Sequence, residues 1–205
     1  MSLQELIQVV DILGVFVFAL SGALAAVKKK MDILGMLVLA VVTAVGGGTL
    51  RSILIGDTPV PFLRDPNYLI ACAIATLLVF FFHRLIKKLD KPIIIFDAVG
   101  LGLFMSLGVT IALEKGLPMW ASLLMGIITA SFGGVIRDVL SAEIPLIFRK
   151  EFYASACLVG GLFYLALSYY QVNHEILIIA SAFTVFVVRM LGIHYNWSLP
   201  HPKKR

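Results

Sequence analysis

Apolar residues fall into seven long runs, covering roughly 6–27, 31–48, 67–86, 92–113, 117–136, 151–171 and 174–195. Each is close to the ~20 residues a helix needs to cross a ~30 Å hydrocarbon core. Short polar or Pro/Gly-bearing connectors separate them: Lys28 to Lys30, Gly56 to Pro66, His83 to Pro92, Glu114 to Pro118, Ser141 to Glu151 and Gln171 to Glu175. None is long enough to hold a soluble domain. The pattern predicts a single all-α integral membrane domain over 1–205, with seven transmembrane helices.

Composition supports this reading: 60% of residues are hydrophobic, only 14% are charged, and the mean hydropathy is +0.99. Soluble domains are usually about half apolar and roughly a quarter charged. A cleaved signal peptide opens on a basic stretch, whereas the first charges here are Glu5 and Asp11, so the first run is expected to remain as a helix. The net charge of +5 does not point to nucleic acid, because the basic residues sit in loops beside the spans. Lys28 to Lys30; Arg84, Lys87, Lys88 and Lys91; Arg149 and Lys150; and Lys203 to Arg205 all share one side if there are seven spans. The opposite loops hold Arg51, Arg64 and Lys115. Since Lys and Arg in short loops stay cytoplasmic, the N-terminus is expected outside and the C-terminus inside. The basic clusters read as topology signals, with some attraction for anionic membrane lipid.

Cys72 and Cys157 lie inside spans and read as small buried residues, and His83, His174, His194 and His201 show no ligand spacing. Trp120, Trp197, Tyr68, Tyr153 and Tyr195 sit near span ends, as interfacial anchors do. No glycine-rich loop ends in Lys-Ser/Thr, and no cluster has metal spacing. Enzyme, cofactor and metal are not expected.

Shifting the sequence by 86 positions aligns Asp11–Asp65 with the second half without a gap, giving fifteen identities in fifty-five positions. They include Asp11/Asp97, Gly14/Gly100, Phe18/Phe104, Gly22/Gly108, Thr43/Thr129, Gly47/Gly133, Gly48/Gly134, Arg51/Arg137 and Pro59/Pro145. Repeat one covers about 6–86, repeat two about 92–171, and an extra helix about 174–195. Three spans per repeat make the two units enter the membrane from opposite sides. Inverted repeats of this kind characterise many transport proteins, whose sites lie at the repeat interface among interrupted helices.

Spans two and five carry Gly46-Gly47-Gly48 and Phe132-Gly133-Gly134. Glycine costs about 1 kcal/mol relative to alanine in a helix interior, so these clusters predict kinks in both spans, with close helix packing as the alternative. Freed carbonyls at membrane depth face protein or a water-filled cavity. Arg51 and Arg137 follow three residues after the glycine pairs. Charges within spans mark pathways or pairs, and Asp138, Asp11 and Asp97 are the carboxylates available to them; snorkelling to headgroups is the competing account. For Arg189, near the end of span seven, snorkelling is the expectation.

Gly46 to Arg51 and Phe132 to Asp138 together resemble the paired signature of the trimeric intracellular cation (TRIC) channel family, prokaryotic branch. The likeness runs over nearly the whole chain, including Ser21 to Ala25, the Lys-rich first loop and Ile144-Pro145-Leu146. It implies a homotrimer of 3+3+1 helices in the inner membrane, with a pore in each protomer between kinked helices 2 and 5 for monovalent cations such as K⁺ and Na⁺. The pathway residues would be Gly46, Gly47, Gly48, Thr49, Arg51, Ser52, Ser131, Phe132, Gly133, Gly134, Arg137 and Asp138, with Asp11 and Asp97 as charge partners. One departure stands out: the family pattern has Arg-Asp in both halves, and here the first half reads Arg51-Ser52. The runner-up function is secondary transport of a small zwitterion such as glycine, which inverted repeats with interrupted helices suit equally well.

Overall fold

A computed structural model describes residues 2–86, 92–149 and 152–197. Its helices are α1 (Leu3–Lys28), α2 (Ile33–Leu54), the single turn α3 (Pro61–Arg64), α4 (Asn67–Ile86), α5 (Pro92–Glu114), α6 (Met119–Leu140), α7 (Ala154–Tyr169) and α8 (His174–His194). Six are long and apolar enough to cross a membrane, and α7, at 16 residues, is the shorter apolar helix. It starts three residues later than the hydrophobic run suggests. Lys87, Lys88, Lys91, Lys150, His201 and Lys203 to Arg205 lie outside the described residues.

Helices α1 and α5 form the buried centre and pack against each other. They run antiparallel, because one cavity joins Gln4 and Gln8 of α1 to Ile111 and Glu114 of α5, while another joins Ala25 and Lys28 to Pro92 and Ile94. Contacts in one repeat recur in the other with the partners exchanged. Phe104 fills the notch left by Gly14, Phe18 fills the one left by Gly100, and the two rings meet at 5.2 Å between centroids. Thr43 and Thr129 each turn their hydroxyl back to a carbonyl of their own helix at 2.6 Å, and lie against Gly22 and Gly108 respectively.

The helix ends repeat as well. Lys30, Gly56, Gly116 and Ala142 all sit at positive φ and close α1, α2, α5 and α6. In each case the next residue's N–H reaches the carbonyl five residues back, as Met31 does to Ala26 and Glu143 to Asp138; these are Schellman ends. Glycine occupies one member of each equivalent pair.

Where the first repeat has Phe16, the second has Gly102, at whose place a Cβ would fall on the Ala182 carbonyl. That opening lets α8 lie against α5.

The expected interruptions of α2 and α6 are not breaks in the helix: both are α-helical through their glycines. The glycines serve a close crossing instead. A Cβ on Gly47 would fall on the carbonyl oxygen of Thr129, and one on Gly133 on that of Thr43. Gly48 is different, meeting only Arg51 Nη2 at 3.8 Å.

Alanine in a helix interior normally gains about 1 kcal/mol over glycine, so Gly48→Ala should leave stability unchanged or raise it. Gly47→Ala and Gly133→Ala force the helices apart, and overpacking of this kind costs about 1–3 kcal/mol. Thermal melts of the purified variants in detergent should show that opposition in sign.

Candidate functional site

Besides the buried Arg189, the polar interior holds two equivalent but unequal charge clusters near opposite ends of the molecule. Arg137 is 1% exposed. Its Nη1 donates to Asp97 Oδ1 and to Ser21 Oγ, both at 2.6 Å, and its Nε donates to Asp138 Oδ1 at 2.9 Å. The other Asp138 oxygen accepts the Leu146 N–H at 2.9 Å, tying the loop after α6 to the cluster. Gly134 leaves room beside the guanidinium, with Asp97 Oδ1 and the Tyr153 hydroxyl near it. The guanidinium thus lies between helices of both repeats.

Arg51 is equally buried, but its Nε and Nη1 have no hydrogen-bond partner among the described residues. Asp11, the counterpart of Asp97, accepts instead from the Tyr68 hydroxyl at 2.6 Å. Ser52 stands in the place of Asp138, and its buried hydroxyl is also without a partner among the described residues. With carboxylates ionised, the Arg137 cluster carries one net negative charge and the Arg51 cluster none.

Each cluster floors a vestibule. The Arg51 vestibule, about 300 Å³, is lined by Gln8, Asp11, Asp57, Arg64, Asp65 and Glu114 among others. The Arg137 vestibule, about 260 Å³, is lined by Lys28, Lys29, Asp138, Glu143 and Arg149, with Ile93 and Ile94. Ion pairs bridge both rims: Lys29–Glu143 at 2.7 Å and its equivalent Lys115–Asp57 at 3.7 Å, joined by Arg149–Glu143 and Arg64–Asp57, each at 3.2 Å, whose arginines lie one position out of register with each other. A smaller space of about 10 Å³ beside Arg51 is bounded by Ala44, Gly48, Thr49 and Phe104.

The structure therefore brings Gly48, Thr49, Arg51 and Asp11 together at one end, and Gly134, Arg137, Asp138 and Asp97 at the other. Gly46 packs against Ile136, and Gly47 and Gly133 form the crossing. The Ser131 hydroxyl is spent on the Ile127 carbonyl at 2.7 Å, and Phe132 is 38% exposed at the protein surface. Snorkelling is ruled out for Arg51 and Arg137 by their burial. It fails for Arg189 too, which is wholly buried with its guanidinium 5.0 Å from the centre of the Tyr153 ring. Tyr68 and Tyr153 are buried rather than interfacial, while Trp120, Trp197 and Tyr195 are exposed. Cys72 and Cys157 are buried free thiols.

Sequence reasoning missed Ser21 and Tyr68. Both lie far along the chain from the charged groups they bond, and a hydroxyl in an apolar span carries no signal of its partner.

The family model described as "Glycine transporter" matches residues 8–84 and 94–169. A UPF0126 membrane protein of Vibrio cholerae is 41% identical over 96% of this chain and 82% of its own length. The UPF0126 inner membrane protein YadS of Escherichia coli (strain K12) is 40% identical over 93% of both chains. Among solved structures, a TRIC cation channel has a TM-score of 0.86 at 39% identity, covering 97% of this chain and 98% of that one. The TRIC orthologue from Rhodobacter sphaeroides has a TM-score of 0.89 at 36% identity, covering 93% and 98%. These relatives are channels and membrane proteins, not enzymes.

Removing one partner from a buried ion pair costs about 3–5 kcal/mol. Asp97→Ala should sit near the lower figure, since Arg137 keeps Asp138, and denaturation in detergent would measure it. At the rim, the Glu143 carboxyl is held below the usual carboxylate range, first by the hydrogen bond from Lys29 and then by the charges of Lys29 and Lys28. A depressed group stabilises above its unfolded-state value, about 4.3 for Glu, and loses that contribution as pH falls through the folded-state value. The melting difference between the native chain and Glu143→Gln should accordingly be flat from pH 7 to about 5 and vanish in stronger acid.

Both repeats fall within the family model, the curated relatives match almost end to end, and the solved TRIC structures superpose on the same fold: the chain is an integral membrane protein of the prokaryotic TRIC family.

Proposed function

We propose that the protein is a channel for monovalent cations, K⁺ and Na⁺, assembled as a homotrimer with one pore in each protomer between α2 and α6. The observation that carries this reading is the pair of vestibules entering from opposite ends, one ending on Arg51 of α2 and the other on Arg137 of α6. The helix crossing at Gly47 and Gly133 lies between these two arginines along α2 and α6. The likeness to solved TRIC cation channels points the same way. A pathway in this place needs α2 and α6 to bend or part at the glycines, which few side-chain contacts oppose at Gly48. The net negative charge of the Arg137 cluster favours a cation over an anion.

In the membrane, all seven apolar helices span, with α7 the short one. The Lys28, Lys29 and Arg149 rim faces the cytoplasm and the N-terminus lies outside, since basic loops stay in. The second reading, carriage of a small zwitterion, is favoured by the family model's description.

Purified protein in a planar bilayer should give unitary currents whose reversal potential follows the K⁺ gradient. Asp138→Ala should alter conductance, and Arg137→Ala should alter ion selectivity, with Arg51→Ala acting less strongly. Silence in the bilayer, together with saturable glycine uptake into liposomes, would select the carrier. Light scattering of the detergent-solubilised protein tests the trimer.

A further inference from the structure

The 86-residue shift makes the two vestibules comparable charge by charge. Three equivalent pairs around them keep their sign: Arg51 and Arg137, Asp57 and Glu143, Lys115 and Lys29. One lining pair reverses it. Glu114, the last residue of α5, lines the Arg51 vestibule, and its equivalent Lys28, the last residue of α1, lines the Arg137 vestibule. Both are exposed, and neither has an ion-pair partner among the described residues.

Helix stability does not account for the acid. The carbonyls at a helix C-terminus carry partial negative charge, which favours a lysine there and disfavours a glutamate. Lys28 obeys that preference and Glu114 opposes it. The remaining charges deepen the contrast. In the Arg51 vestibule four carboxylates, Asp11, Asp57, Asp65 and Glu114, stand against two arginines. In the Arg137 vestibule four cations, Lys28, Lys29, Arg137 and Arg149, stand against two carboxylates. Lys115, bonded to Asp57, and Asp97, bonded to Arg137, each offset one charge and leave both signs as they are. The negative Arg137 cluster lies at the floor, behind this basic rim.

We propose that Glu114 and Lys28 are a specificity-determining pair: they give the two vestibules opposite potentials, so that the Arg51 vestibule gathers cations and the Arg137 vestibule holds them off. A cleft lined by one sign of charge raises the local concentration of the opposite sign. Exposed charges are screened within about 10 Å at 0.1 M salt, so the effect belongs to the mouths and fades as salt rises. The consequence for current rests on the channel reading: in low salt, cations pass more readily when they enter by the Arg51 vestibule. The potentials themselves hold for a channel or a carrier.

The test measures those potentials on the full chain in uncharged detergent. Gln4→Cys places a thiol in the Arg51 vestibule and Ile94→Cys one in the Arg137 vestibule, while the native Cys72 and Cys157 are buried. Each thiol is reacted with a cationic and an anionic methanethiosulfonate, and the ratio of rates is divided by that for free 2-mercaptoethanol. In low salt the ratio should favour the cation at Gln4→Cys and the anion at Ile94→Cys. Glu114→Gln and Lys28→Gln should each shift the ratio in their own vestibule about 5-fold, the effect of one unit charge about 8 Å away in water on reagents of opposite sign. Molar salt should erase both preferences. The same sign at both thiols, ratios untouched by Glu114→Gln and Lys28→Gln, or preferences that survive molar salt each overturn the proposal. Planar-bilayer currents separate it from the channel reading. Linear current–voltage curves in low salt overturn the bias and leave the channel standing, whereas silence strikes the channel and leaves the potentials as measured.

Discussion

The approach of α2 to α6 governs much of the rest. The two helices cross with Gly47 against the Thr129 carbonyl and Gly133 against that of Thr43, leaving no space for a methyl group on either side. Backbones that close bring the next turn of each helix into the interior, and that turn carries Arg51 or Arg137. Since neither arginine can reach lipid headgroups from there, each needs partners inside. For Arg137 they come from three helices, α1, α5 and α6 itself, so one buried charge fixes the relative placement of both repeats.

The same arrangement explains why the charged residues are not distributed evenly. Gly48 and Gly134 provide space for the guanidinium folding back along its own helix, one turn from the crossing. Asp138 then uses its second oxygen to hold the loop leading to α7 through Leu146. Ser52 cannot do this in the first repeat. There the connection between α2 and α4 keeps the rim ion pairs of Asp57 with Arg64 and Lys115, like those of Glu143 in the second repeat, but not the inner tie.

Much of this was legible in the sequence because inverted repeats write each contact twice. The 86-residue shift paired Gly14 with Gly100 and Phe18 with Phe104, and the structure places each phenylalanine in the other repeat's glycine. Of the three carboxylates that the sequence offers the arginines, Asp97 and Asp138 pair with Arg137, and Asp11 bonds Tyr68 instead. The glycine clusters predict kinks or close packing, and in α-helices that continue through them Gly47 and Gly133 make the close approach: glycine permits a bend and a close approach equally, and only the neighbour decides. Arg189 looked like a residue near a helix end. Its burial depends on Tyr153, from a segment that the hydropathy pattern had already assigned to a span. Tyr68 was misplaced for a similar reason, since an aromatic near a span end faces either lipid or an interior carboxylate, and the sequence holds no record of rotation about the helix axis.

The exchanged rings at the centre have a historical reading. Phe18 and Phe104 meet where the two-fold relation maps each position onto its equivalent, so a single three-helix unit carrying one such phenylalanine and one such glycine would already complete this contact by pairing with a copy of itself. Such a unit could have worked as an antiparallel homodimer before the two copies were joined in one chain. Joining them removed the demand that both be alike. Phe16 and Gly102, Ser21 and Leu107, and Ser52 and Asp138 are among the positions at which the halves differ.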